Sequence, residues 1–183
     1  MTMTGRTDDP TLGRDISRIV YDRTAIARRV RKLGADITAA FPDGELLLLG
    51  LLKGSFIFLA DLAREIRRPF EVNFVVASSY GDDTKSSGVV SLLYDPVIDL
   101  AGKHVVLVED IVDSGRTLTQ LMDVLGRRAP RSLSVCALMH KRVTRGASDV
   151  RFVGFDAPNE FLVGYGLDHA EQFRHLPYVA SLD

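Results

Sequence analysis

VVLVEDIVDSGRTLTQL, Val105 to Leu121, is the stretch on which the reading of this chain turns. Val105 to Val108 is a short β-branched, apolar run, bounded by Gly102 on one side and acids on the other. Such a run suits a strand buried within a parallel sheet. Glu109 and Asp110 follow where that strand is expected to end. Asp113-Ser114-Gly115-Arg116-Thr117 then forms a turn of small and hydroxyl side chains, and Leu118, Leu121, Met122 and Leu125 recur with the spacing of one helix face. The predicted order is strand, acidic loop, helix.

That order has a chemical use. A Ser-, Gly- and Thr-rich loop at a helix N-terminus offers unpaired backbone N–H groups and the positive end of a dipole, both of which favour a phosphate. Carboxylates beside a phosphate would repel it unless a divalent cation or the hydroxyls of a sugar lie between. Acids and glycine after a strand are also ordinary loop composition, and only the combination points to a phosphorylated sugar with magnesium. Neither G-x-x-x-x-G-K-[ST] nor G-x-G-x-x-G occurs, so a Walker loop and a dinucleotide fingerprint are excluded.

Composition sets the outer bounds. The 183 residues suffice for one compact core, and 46% hydrophobic with 26% charged residues is ordinary for a globular domain. A formal net charge of −1 gives no overall electrostatic reason to bind nucleic acid or an anionic membrane. The lone Cys136 lies in the apolar run Leu133 to Leu138, and reads as an inert strand residue in a reducing compartment. Residues 1–15 are polar, lack the apolar core of a signal peptide and are expected to be a flexible tail. The most apolar segment, Leu46 to Leu52, stops at Lys53-Gly54, far short of a membrane span, so a cytoplasmic location is expected.

Taken in order, Asp22 caps an amphipathic helix with Ala25, Ile26, Val30, Leu33, Ile37 and Phe41 inward and arginines outward, closed by Pro42-Asp43-Gly44. Leu46 to Leu52 is a buried strand, and Ser55 to Arg67 a helix with Phe56, Leu59, Leu62 and Ile66 inward. Phe70 to Ala77, Val89 to Tyr94 and Leu133 to Met139 are further strands. Strands alternating with helices at this spacing predict a parallel α/β sheet whose ligands sit at the carboxyl ends of the strands. Loops after strands are therefore the candidates: Lys53-Gly54, the polar stretch Ser78 to Gly88, and Lys141. Viewed alone, Lys53 and Lys141 are ordinary solvated lysines, and the polar stretch an ordinary hairpin. His104, His140, His169 and His175 form no i, i+4 pair and have no cysteine partners, which speaks against zinc. Arg127, Arg128 and Arg131 complement a helix end.

E-D-I-V-D-S-G-R-T-L after an apolar run resembles the phosphoribosyl pyrophosphate signature of the type I phosphoribosyltransferases. Asn159 to Tyr178, NEFLVGYGLDHAEQFRHLPY, resembles the C-terminal segment of that family's hypoxanthine-guanine branch, in which F-x-V-G-Y-x-L-D is followed by F-R. The resemblance runs from about Asp22 onward. It implies a parallel-sheet, Rossmann-like type I phosphoribosyltransferase core flanked by helices, with a small hood from the chain ends including about 155–183, all in one domain. It also implies a homodimer or homotetramer.

The same resemblance implies roles. Lys53 and Gly54 match an L-K-G element that holds pyrophosphate, with a cis peptide before the lysine. Ser79-Tyr80 match a lid that closes over the substrates. Backbone amides from Asp113 to Thr117, including Gly115 and Arg116, with the Ser114 and Thr117 hydroxyls, would hold a 5-phosphate. Glu109 and Asp110 would face the ribose hydroxyls, directly or through Mg²⁺. Lys141 would meet the purine carbonyl, Phe161 would stack on the base, and the backbone of Leu162 would bond its edge. Asp168 would ligate magnesium, and Arg174 would bind pyrophosphate. By composition alone, Phe161 and Val163 are core residues and Asp168 a helix N-cap.

The implied reaction moves ribose 5-phosphate from phosphoribosyl pyrophosphate to a 6-oxopurine, with Asp113 handling the purine's proton. An RNA-binding regulator on the same fold and a xanthine or adenine transferase are the competing readings. Near-neutral charge and the Lys141/Phe161 pair oppose the first, and a lysine at the 6-position has no use to an adenine enzyme.

Overall fold

The computed structural model describes residues 16–79, 90–94, 98–113, 115–141 and 150–182, with backbone alone at 78, 79, 90–93 and 116. The expected tail, Tyr80 with most of the lid, and Ser114 lie outside the described residues. Nine strands and three helices are described: β1 Ile16–Tyr21, α1 Arg23–Ala40, β2 Leu46–Leu52, α2 Phe56–Glu65, β3 Glu71–Ser79, β4 Val90–Tyr94, β5 His104–Val112, α3 Arg116–Gly126, β6 Ser132–His140, β7 Phe152–Asp156, β8 Phe161–Val163 and β9 Val179–Leu182.

A six-stranded sheet has the order β4-β3-β2-β5-β6-β7, parallel throughout except for β4, which pairs antiparallel with β3. β2 reads LLLLGLL because both its faces are covered. Leu46 and Leu48 join Val106 and Val108 of β5 in a cluster with α1 and α2, while Leu47, Leu49 and Leu51 join Val105 and Leu107 in a cluster with Leu118, Leu121 and Leu125 of α3. The strand alternation of side chains thus assigns α1 and α2 to one face and α3 to the other.

Three differences from expectation have physical causes. β5 does not end at Val108: its partner β6 runs on to His140, and the ladder Glu109↔Ala137, Ile111↔Met139, Val112↔His140 carries the strand through the acid pair. Glu109 and Asp110 are therefore strand residues, held more rigidly than a loop would hold them. In α2 the buried face is Phe58, Leu59, Leu62 and Ile66, whereas Phe56 is 43% exposed. At about 100° per residue, Phe56 points roughly 100° away from the centre of that face. On α1, Arg29 turns inward, donating from Nε to the Gly154 carbonyl at 2.6 Å and from Nη2 to the Val153 carbonyl. The Asp22 cap is as expected, its Oδ1 accepting from the Ala25 N–H at 2.7 Å.

A second sheet, ordered β1-β9-β8 and antiparallel, forms the hood. Its β1 lies in ISRIVY, beside the polar N-terminal segment and without a run that stands out from it. Leu162, Tyr165, Leu167 and Val179 of the hood region belong to the same apolar cluster as α1, α2 and the main sheet. Tyr21 stacks on Phe155, ring centroids 4.1 Å apart, and its hydroxyl donates to the Asp156 carbonyl.

α1 and α2 touch most closely at Gly34, where an added methyl would sit 2.5 Å from Glu65 Cβ and 2.8 Å from its carbonyl carbon. Alanine would gain about 0.8–1 kcal/mol of helix propensity, but forced overpacking costs about 1–3 kcal/mol. Gly34→Ala is expected to lower the free energy of unfolding by up to about 2 kcal/mol, measured by urea titration. A more stable variant would show that the two helices slide apart freely.

Candidate active site

The carboxyl ends of β2, β3 and β5 open into a cleft of about 280 Å³ whose polar lining comes from Gly54, Glu109, Asp110, Asp113, Gly115 and Thr117. Gly115 stands at the N-cap of α3 in the left-handed region, φ +71°, and supplies no side-chain acceptor to the first-turn N–H groups. Arg116 opens the helix.

Two loops lock onto the end of β5. The Leu52–Lys53 peptide is cis. A methyl on Gly54 would lie 1.6 Å from Asp110 Oδ2, so only glycine lets this loop sit against the carboxylate. A methyl on Gly166, φ +103°, would in turn lie 2.1 Å from the Gly54 carbonyl. Arg174 Nη1 donates to the Gly166 carbonyl at 2.7 Å, and its Nη2 pairs with Asp168 at 2.8 Å and Glu171 at 3.2 Å. Glu171 also pairs with Lys53 at 2.8 Å. The cis-peptide loop, the acid pair and the segment after β8 thus form one contiguous junction, although they are far apart in sequence.

Electrostatics follow from that enclosure. Burial, reinforced by the neighbouring Asp110, raises the Glu109 carboxyl well above the usual carboxylate range. Glu109 Oε2 is enclosed without a hydrogen-bond partner. Burial also raises Asp110; the N–H of Ile111, bonded to Oδ1 at 2.9 Å, and the charge of Arg174 oppose that rise, while Asp168 adds to it. The orphaned oxygen is what a hydrated divalent cation or a sugar hydroxyl would satisfy. Among the described residues no three His, Cys, Asp or Glu side chains form a ready-made metal cage.

At the other side of the cleft Lys141 Nζ meets Asp113 Oδ2 at 3.2 Å, and the Lys141 N–H is bonded to the Val112 carbonyl at 2.9 Å. The lysine stem is largely enclosed while the Asp113 carboxylate is open. Phe161 is 54% exposed, unlike its buried neighbours Leu162 and Val163, so composition misplaces it as core. Its ring meets His169 edge-on, centroids 5.2 Å apart. No helix follows Asp168; its Oδ2 instead accepts from the Glu171 N–H at 2.8 Å, closing a tight turn.

Sequence reasoning gave no role to His169 or Glu171. The only signal for Glu171 was its position three residues from both Asp168 and Arg174. A larger groove, about 450 Å³, lies between α1, α2 and the hood beside Tyr165, but none of the site residues above lines it.

Residues 18–170 match the phosphoribosyl transferase domain family. The chain is 46% identical over 167 residues to the hypoxanthine phosphoribosyltransferase of Salmonella typhimurium, covering 90% of this chain and 94% of that one. It is 46% identical over 176 residues to the hypoxanthine-guanine phosphoribosyltransferase of Mycobacterium avium, covering 92% and 87%. The crystal structure of a hypoxanthine-guanine phosphoribosyltransferase from Bacillus anthracis superimposes with a TM-score of 0.85 at 38% identity, covering 92% of this chain and 99% of that one. On this likeness the chain belongs to the phosphoribosyltransferase family, among its hypoxanthine-guanine members.

Proposed function

We propose that this chain transfers the 5-phosphoribosyl group from phosphoribosyl pyrophosphate to hypoxanthine or guanine, giving the nucleoside monophosphate and pyrophosphate. The observation that carries the choice of base is the Asp113–Lys141 pair, 3.2 Å apart beside the cleft. A 6-oxopurine presents a carbonyl acceptor next to a ring N–H donor. A cation and a carboxylate side by side complement that edge, whereas the exocyclic amine of adenine would face the lysine donor to donor.

The remaining assignments follow the cleft. The amides from Asp113 to Thr117 hold the 5-phosphate at the α3 N-terminus. Glu109 and Asp110 face the ribose and stabilise positive charge developing on it as pyrophosphate departs. Lys53 and Arg174 receive that pyrophosphate. Asp113 takes the proton the purine loses, and Phe161, with its exposed ring, stacks on the base. Glu109, Asp110 and Asp168 are the carboxylates that would hold Mg²⁺, which when bound neutralises phosphate charge and improves the leaving group. A buried Cys136 fits a reducing cytoplasm.

An assay with hypoxanthine, guanine, xanthine and adenine, each with phosphoribosyl pyrophosphate and magnesium, is expected to release pyrophosphate with the first two. Salt-dependent RNA binding without nucleotide product would overturn the assignment. Asp113→Asn is expected to lower turnover by about 10²- to 10⁴-fold with substrate affinity kept, the usual loss when a general base is removed. Lys141→Ala should raise KM for the base by about ten- to a hundredfold, the value of a charge-assisted hydrogen bond, with little effect on KM for the sugar substrate. Selective loss of sugar affinity instead would move Lys141 to another subsite.

Glu109 supplies a pH prediction. Its carboxyl is raised on folding, so the native state binds the extra proton, and stability of the ligand-free protein falls as pH climbs from the unfolded carboxylate range through the folded value. Glu109→Gln removes that penalty. Its melting temperature should exceed wild type at pH 7.5, by about 2–4 °C for each kcal/mol recovered, with the gap closing toward pH 5. A Glu109→Gln variant that melts below wild type at pH 7.5, with the deficit closing on acidification, would show that Glu109 is ionised and stabilising.

A further inference from the structure

We propose that Glu171 is an internal counter-anion: its carboxylate occupies Lys53 and Arg174 in the ligand-free protein and must be displaced before pyrophosphate can take them. This rests on the reading of Lys53 and Arg174 as the pyrophosphate-binding pair.

The geometry is that of a bridging anion. Glu171 Oε1 lies 2.8 Å from Lys53 Nζ, and Oε2 lies 3.2 Å from Arg174 Nη2. One carboxylate thus spans two cations that lie far apart in sequence. A carboxylate and a phosphate compete for the same donors with similar hydrogen-bond geometry, so both cannot hold this pair together.

The partners differ in freedom: the Lys53 and Glu171 side chains are 67% and 64% exposed, whereas Arg174 is held in place. Arg174 is anchored by Nη1 on the Gly166 carbonyl at 2.7 Å and by Asp168 at 2.8 Å. The Glu171 backbone is also fixed, its N–H bonded to Asp168 Oδ2 at 2.8 Å and its φ at +64°, a region non-glycine residues seldom adopt. Its side chain, by contrast, is 64% exposed, so it can swing out into water. A tight turn therefore presents a mobile carboxylate to two cations. The contact is weak enough to yield to a ligand carrying several negative charges, yet it raises the threshold for a singly charged anion.

The test is calorimetric titration of inorganic pyrophosphate, with magnesium chloride present, into the full chain and three variants. Glu171→Gln and Glu171→Ala are each expected to bind pyrophosphate about three- to tenfold more tightly than wild type, on the scale of one or two exposed ion pairs. KM for hypoxanthine should stay unchanged. Lys53→Gln should bind pyrophosphate more weakly than wild type. If Lys53→Gln weakens binding while both Glu171 variants leave it unchanged or weaken it, the counter-anion role is refuted and the pyrophosphate site stands. If wild type does not bind pyrophosphate, or Lys53→Gln binds it equally well, the site assignment falls and this role falls with it.

Discussion

The parallel pairing of β5 with β2 on one side and β6 on the other is the constraint on which the structure depends. It buries Val105 to Val108 completely and, through its extension along β6, carries two carboxylates to the rim of the sheet as part of the ladder. Alternation along the strand aims Glu109 toward the α3 side and Asp110 toward the α2 side. One strand end thus serves the amide-lined corner and the cis-peptide loop together. A loop carrying the same two acids could not hold both positions, since a free loop would fold them away from each other and from the enclosed space.

Charge is concentrated here at a cost. Burial and the neighbouring Asp110 oppose ionisation of Glu109, and the structure leaves one Glu109 oxygen without a partner. A fold shaped only for stability would place an amide or an apolar side chain there. Arg174 offsets part of the repulsion at Asp110 from a segment that arrives more than sixty residues later in the chain. The hood is therefore an electrostatic partner of the sheet as well as its cover.

Much of this was legible in sequence where a single physical rule acts alone. LLLLGLL could only be a strand covered on both faces, and Asp22 followed by apolar residues at helical spacing could only open a helix. Legibility failed where tertiary contacts decide. The length of β5 depends on how far β6 runs, which no local pattern in VEDIV discloses. Phe56 is apolar and close to helical phase, yet Phe58 fills the interior position. The turn after Asp168 depends on three non-glycine residues with positive φ, Ala170, Glu171 and Phe173, which composition does not signal. The site residues from 161 to 174 were found through family likeness rather than through periodicity, because their meeting with Lys53-Gly54 is set by close approach of two glycines.

Arg29 has a consequence beyond α1. β7 closes the main sheet on one side, and its outer flank would otherwise offer bare carbonyls to any extended chain. The guanidinium engages the carbonyls of Val153 and Gly154, and the Tyr21 hydroxyl engages that of Asp156, so this flank is already spoken for by side chains. Strand addition and amyloid-like stacking are thereby discouraged at the sheet's far margin, where a neighbour's backbone would otherwise find open carbonyls.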